Sequence, residues 1–520
     1  MAGYSYTPTV IAGNTAVGAS VYGETAVSQF NPFVQFHAKS TLLPPRVMTA
    51  AANGTAAAAT SNGDNFSATS GTDVDGHAIL HSTRELNYRP GTGAEGRMSG
   101  WFTSPSADSS SYLGLFVPEA GFGFGYNGAD FGIWIRDEGV RTIVQLTVTV
   151  AELTGGTIVI SLPRSDGTLE AHTVTISVTT ANLELGASEI ASLSAFNTGS
   201  LADGEYKAIA RGDSVYFIAE RCYAGTDTPS VVQGTATDFA ATMTTRTVGQ
   251  APTETHVPQS SWNCDVMDGS GASGMTLNPL LGNVYRIQYQ WLGVGNAMFD
   301  VINSTTGRFQ RVHDYRHANT NASLSISEPQ LTIWYEAKNS ATGTTSTSVN
   351  SGSMALGHQG LITEKQLVND RIVTTTNVNN GSYAPMLSIR CDSFTGTGAS
   401  VRHNYGEIKL VRADFSIDSN QGMTVQVLLN ADLSAFATTD YPDWTQHSAT
   451  SSIASYDVTS ETVSGGTLLA SYFLAKDTSF SASFLDFDIV LEPGDVVTLA
   501  VNPDNGTNTV GVNASWSELF

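Results

Sequence analysis

Between Arg84 and Arg141 the chain crowds glycine, aromatic rings and arginine together. The stretch reads NYRPGTGAEGRMSGWF and then FGFGYNGADFGIWIRDEG, with Gly121, Gly123 and Gly125 alternating with Phe122, Phe124 and Tyr126. Each glycine weakens a helix, so a helical reading is excluded. The aromatic content is too high for a solvated linker. What remains is tightly turned β structure in which backbones approach closely around rings. No catalytic constellation accompanies it.

Composition extends that reading to the rest of the chain. Of 520 residues only 14% are charged, against roughly a quarter in an ordinary soluble domain. The length predicts two or three domains. A net charge of −23 argues against nucleic acid and against an anionic membrane surface as partners, since both need a basic footprint. From Ala413 to Phe520, fourteen acidic residues face the single Lys476. This reads first as solvation, and second as a site for a divalent cation or a basic partner. Cys222, Cys264 and Cys391 are odd in number and widely spaced, with no CxxC, so neither a disulfide framework nor a zinc site is expected. No cofactor is expected either. The start, MAGYS, lacks the basic and apolar regions of a signal peptide, and no run of apolar residues is long enough to span a membrane as a helix. The expectation is synthesis in a cytoplasm followed by release through lysis, as for virion components.

The pass along the chain predicts an all-β protein. Residues 1–79 read as an extended N-terminal arm with a low-complexity segment at 49–72, and 80–336 as a β-sandwich-like body. Within that body, TIVQLTVTV (142–150), HTVTISVTT (172–180), DSVYFIA (213–219) and NVYRIQYQW (283–291) alternate apolar and polar residues. One short helix is predicted over Ala187–Asn197. Residues 337–353 read as a polar linker, and 354–520 as a C-terminal antiparallel sandwich or jelly roll of short, evenly spaced strands.

Few motifs suggest chemistry. His313 and His317 lie four apart but follow a strand-like segment and lack a third ligand, so a polar turn or subunit contact is the better reading. Asp73-Val74-Asp75-Gly76 fails a calcium loop at both ends. Arg211-Gly212-Asp213 reads as a turn. The glycines at 121–125 have no surrounding βαβ unit for a phosphate loop. Asp486 and Asp488 share a strand face, the arrangement that a polysaccharide hydrolase would use. An enzyme is not expected.

The series NYRPGTGAEGRMSGWF, FGFGYNGADFGIWIRDEG, SWNCD, GNVYRIQYQWLGVGNAMFDVINSTTGRFQRVHDYRHAN and the late ASWSELF resembles large β-rich structural proteins of aquatic double-stranded DNA viruses, including phages and algal viruses. The resemblance covers residues 80–335, with weaker support near the end. It implies a virion part at or near the particle surface (a fibre, appendage or capsid-associated protein) made in the host cytoplasm, and brings no catalytic motif. The partners it implies are further copies, as a trimer in a fibre-like part, and other virion proteins. Arginine and aromatic side chains are favoured at buried interfaces. The assembly contacts expected on that ground are Arg84, Arg89, Arg97, Trp101, Phe124, Tyr126, Phe131, Trp134 and Arg136, and the same residues could equally build one monomer's core. The alternative function is a receptor- or glycan-binding adhesin, with Tyr441 and Trp444 of DYPDW as stacking rings for a host surface glycan.

Overall fold

The computed structural model describes residues 30–39, 48–54, 57–61, 64–152, 154–177, 182–196, 205–225, 227–360, 368–379, 381–396, 401–418, 421–433, 442–448, 451–484 and 489–519. Every strand pairing among them is antiparallel. The chain is all-β except for one α-helix and a short 3-10 turn among the described residues.

The described residues form three units. The first is a sandwich. Its seven-stranded sheet runs in the order Thr253–Pro258, Asp130–Asp137, Gly121–Asn127, Ser109–Phe116, Thr332–Asn339, His77–Ser82, Met48–Asn53. A nine-stranded sheet built on Gly93–Phe102, Asn283–Tyr289 and Ala297–Ile302 packs against it. The glycine–aromatic run explains the contact. Phe122, Phe124 and Tyr126 all point inward, where Phe124 meets Tyr285 (ring centroids 4.9 Å) and Phe299 (5.5 Å). The intervening glycines keep the outer face clear. A β-carbon at Gly123 would sit 2.5 Å from the Phe116 ring and 2.7 Å from the Leu113 carbonyl oxygen.

The second unit is an insert. The chain leaves the seven-stranded sheet after Asp130–Asp137 and returns in Thr253–Pro258, which pairs with that same strand. Between them lie a four-stranded sheet, a three-stranded sheet and the Leu183–Ser192 helix around a separate core. The helix begins four residues earlier than the sequence predicts. The Asn182 side chain caps it, accepting from the Glu184 and Leu185 amides at 2.9 and 3.2 Å. The third unit is a C-terminal sandwich of a five-stranded and a six-stranded sheet with its own core; it starts at Val368 rather than at the expected 354, because Ser353–Gln359 pairs with Gly93–Phe102 in the first sandwich.

Two further boundaries are corrected. Residues 337–353 are not a linker: Thr332–Asn339 lies inside the seven-stranded sheet, and Ser348–Ser351 pairs with Phe66–Thr69 and Gly93–Phe102. Polar composition misled because these strands are satisfied by side-chain hydrogen bonds. Tyr335 Oη bonds Ser351 Oγ at 3.0 Å, and Thr69 Oγ1 bonds Ser348 Oγ at 2.8 Å. Nor do the described residues between 30 and 79 form a separate arm. Phe30–His37 pairs with Ser353–Gln359, and Met48–Asn53 with His77–Ser82. The body from 80 to 336 is thus a sandwich interrupted by a second folded unit.

Candidate functional site

The glycines that clear the outer face of the seven-stranded sheet leave a shelf, and the strands around it fill that shelf with chemistry. Strand alternation places Trp134 and Arg136, Tyr112 and Phe116, Trp334, Glu336 and Lys338, His77, and Glu254 on this one side. Of these, His77, Arg136, Glu254, Trp334, Glu336 and Lys338, with Glu220, Arg221 and Cys222 from the insert, line a cup of about 210 Å³.

Arg136 is the hub. It is buried, its Nε and Nη2 donate to Glu254 Oε1 at 3.0 and 2.8 Å, and Nη2 lies 3.4 Å from Glu336 Oε2 and also reaches Tyr112 Oη. Its guanidinium carbon lies 5.2 Å from the Phe116 ring centroid. Glu336 further accepts from Trp334 Nε1 (2.7 Å) and meets His77 Nε2 at 2.9 Å, while Lys338 Nζ donates to Glu254 Oε2 at 3.1 Å. Burial works against ionising Glu336, but Arg136, helped by the hydrogen bond to His77, outweighs it and holds its carboxyl well below the usual range. Burial likewise opposes ionisation of Glu254, and Arg136 with Lys338 outweighs it. Burial pulls His77 down in spite of Glu336, so at neutral pH its imidazole is uncharged. Burial also pushes the Cys222 thiol far up, removing it as a nucleophile. Acid–base catalysis by two carboxyls needs one of them to keep a proton near neutrality. Here both are clamped as anions, so the cup can hold a polar group but is not set up to donate a proton from these acids.

A second charged cluster lies where the three units meet. Arg84 of the first sandwich reaches Glu492 (3.0 Å) and Glu407 (3.8 Å) of the C-terminal sandwich, and Arg141 at the root of the insert binds Glu119 at 2.6 Å. Glu85 and Glu328 share this zone. Burial pushes Glu85 and Glu492 well up and Glu328 up to about 8, so part of the cluster keeps its protons at neutral pH. The insert is tied down nearby. Arg211 Nη2 binds Asp392 Oδ2 at 2.8 Å and its guanidinium stacks 4.0 Å over Phe394, while Arg390 donates to the Ala210 carbonyl at 2.7 Å. The Arg211-Gly212-Asp213 turn therefore serves the contact between units.

The residues expected at assembly contacts divide. Phe124, Tyr126 and Phe131 belong to the core of the first sandwich, which corrects their assignment: inward strand faces claimed them. Trp134 and Arg136 are buried in the outer-face network. Arg84 joins two units, but within one chain. Arg97 pairs with Glu95 and stacks 4.4 Å over Phe30. Arg89 and Trp101 are half-buried. Of the proposed glycan-stacking pair, Tyr441 lies outside the described residues. Trp444 is 7% exposed and carries the Arg390 guanidinium at 4.4 Å, so its ring is already covered. Asp486 and Asp488 lie outside the described residues as well. His313 and His317 have separate partners, the Asn263 amide (3.3 Å) and the Ser323 carbonyl (2.8 Å), and no group of three metal ligands occurs among the described residues. Sequence reasoning missed Trp334, Glu336 and Lys338, whose W-x-E-x-K spacing puts them on one strand face. The polar stretch that follows hid the signal.

No protein-family model matches the chain, and no curated protein does. Among solved structures, a glycosyl hydrolase family protein from Mycobacterium fortuitum aligns with 63% of this chain and 99% of its own, at 9% identity and a TM-score of 0.29. A legume lectin-like domain from Entamoeba histolytica (62% and 95%, 9% identity, TM-score 0.25) and peanut lectin (64% and 99%, 9% identity, TM-score 0.24) align similarly. Likeness this low carries no argument about activity.

Proposed function

We propose that the chain is a structural component that associates with further copies of itself, as a part at or near the surface of a virion. The observation that carries self-association is the gathering of exposed apolar side chains at one end of the C-terminal sandwich. Leu468, Phe473 and Phe480 are 52, 68 and 38% exposed there, in a region of the chain that is otherwise strongly acidic. Large apolar side chains left in water on neighbouring strands favour a protein partner. The clamped carboxylates of the cup favour a holding role over a reacting one. The virion setting rests on the sequence resemblance across residues 80–335. Light scattering on the eluting full-length protein tests the reading: an oligomer is expected, and a monomer at every workable concentration and salt would sink it.

One observation favours glycan binding as a second reading. On the outer face of the five-stranded sheet, Asp414 and Asn513 (Oδ2–Nδ2 2.9 Å) floor a shallow trough of about 510 Å³ beside the exposed Ile372. Short polar side chains beside an apolar one suit a sugar ring. A glycan array probed with the full chain and with Asp414→Ala tests it: binding lost in the variant supports the trough, and equal binding or none removes it.

A further inference from the structure

An unpaired strand at the end of a sheet offers free backbone donors and acceptors to any passing strand, and proteins usually blunt it with charge, proline or shortness. Most end strands in this chain follow that rule. Glu254, Arg311, Lys207, Arg246, Glu170 and Asp370 each sit in a strand that ends its sheet. Ala58–Ser61, Ser230–Gln233 and Thr445–Gln446 are short, and Met48–Asn53 is half alanine.

Thr467–Leu474 breaks the rule. It ends the six-stranded sheet, pairing only with Met423–Leu429 among the described residues. Its sequence, TLLASYFL, has no charge and no proline, and only Leu474 is buried. Beside it, Ser479–Ser483 (SFSAS) ends the five-stranded sheet, also without charge. Tyr472 and Phe480 touch across the two sheets, with ring centroids 4.8 Å apart. Both layers of the sandwich thus finish at the same end on uncharged, partly apolar strands.

We propose that two copies of the chain join here, Thr467–Leu474 against Thr467–Leu474, antiparallel about a two-fold axis, so that the six-stranded sheet continues into that of a second copy. This rests on the self-association reading and names its surface. Three features choose a second copy as the occupant. Two chains each carrying −23 repel wherever their acidic surfaces meet, and this strip brings no like charges together. A basic partner would find no carboxylate on either strand to bind. The regular part of the strand can also pair with itself. With the axis at Ser471, Ala470 meets Tyr472 of the second copy on the core-side face, and the bulge at Leu469 lies beyond that pair. Such aliphatic–aromatic pairs are the favourable unit of a sheet.

The test uses the full chain. Sedimentation velocity compares the wild type with Leu468→Lys and Phe473→Lys. Both side chains are exposed, so circular dichroism should show an unchanged fold. Burying an ammonium group at the seam should raise the dissociation constant about tenfold or more. In parallel, Ser471→Cys in a Cys264→Ser background should form a disulfide-linked dimer on mild oxidation, because opposed residues on antiparallel strands lie within disulfide reach. Cys264→Ser alone should not. A wild-type oligomer untouched by both lysines, with no link through position 471, overturns the strand pairing but leaves self-association standing through another face. A wild-type monomer overturns both.

Discussion

Replacing Arg136 by methionine keeps its stem and removes the charge that three neighbours share. Glu254 retains Lys338, but Glu336 is left with a neutral histidine and an indole N–H inside the sheet face. A buried carboxylate stripped of its cation escapes by taking a proton. The cost of doing so at pH 7, starting from an ordinary value of 4.5, is 2.5 units at 1.36 kcal/mol each, or about 3 kcal/mol. That figure is a ceiling, since His77 could share the load, and it agrees with the few kcal/mol usual for breaking a buried pair. At pH 5 the same protonation costs under about 1 kcal/mol. The sign follows. In the wild type, Glu336 is ionised in both folded and unfolded chains over this range and contributes no slope. In Arg136→Met the folded chain holds an extra proton, so stability falls as pH rises from 5 to 7. Denaturant unfolding followed by tryptophan fluorescence, which reports on Trp134 and Trp334, measures the difference at each pH. Adding Glu336→Gln to Arg136→Met should remove most of the pH dependence. A penalty that is flat with pH, or a pH dependence that survives in the double variant, would refute the idea that Arg136 acts by holding Glu336 ionised.

Two further outcomes are expected. Glu328, pushed up to about 8 by burial, binds its proton more tightly folded than unfolded, so its contribution is intact at acid pH and is lost as pH rises between about 5 and 8; Glu328→Gln should flatten the decline of Tm across that window, and an identical decline in the variant would exclude it. Among the thiols, Cys264 is exposed while Cys222 is half-buried and Cys391 buried. Ellman's reagent should therefore modify Cys264 first in the native protein, slowly because partial burial and Asp314 raise its thiol, and the earliest phase should vanish in Cys264→Ser.

Strand identity was readable where alternation is local. TIVQLTVTV and DSVYFIA appear in the structure as Arg141–Val150 and Ser214–Cys222. The alternation of FGFGY pointed to β structure, and the strand it forms puts all three rings on one face. Which face was buried is not a local property, and that decided whether Phe124 and Phe131 met a second molecule or their own core. The insert was hidden for a similar reason: its limits are defined by Asp137 pairing with Thr253, far apart in sequence and unmarked by composition. The cup was the least legible part. Arg136 finds Glu254 and Glu336 at separations of 118 and 200 residues, and nothing in either local stretch announces the other.

The insert starts and finishes on two strands that already lie side by side. Removing it would leave a gap that a tight hairpin turn could close, with the register of the surrounding sheet undisturbed. Its attachments elsewhere, such as Arg211 on Asp392 and the buried cluster of Tyr216 and Ile218 with Phe394 and Val401, are side-chain contacts rather than shared backbone ladders. The sandwich can therefore accept, lose or exchange this cargo with its strand register and apolar core intact, as a socket accepts a plug, provided the buried Glu119 that Arg141 neutralises is exchanged with it.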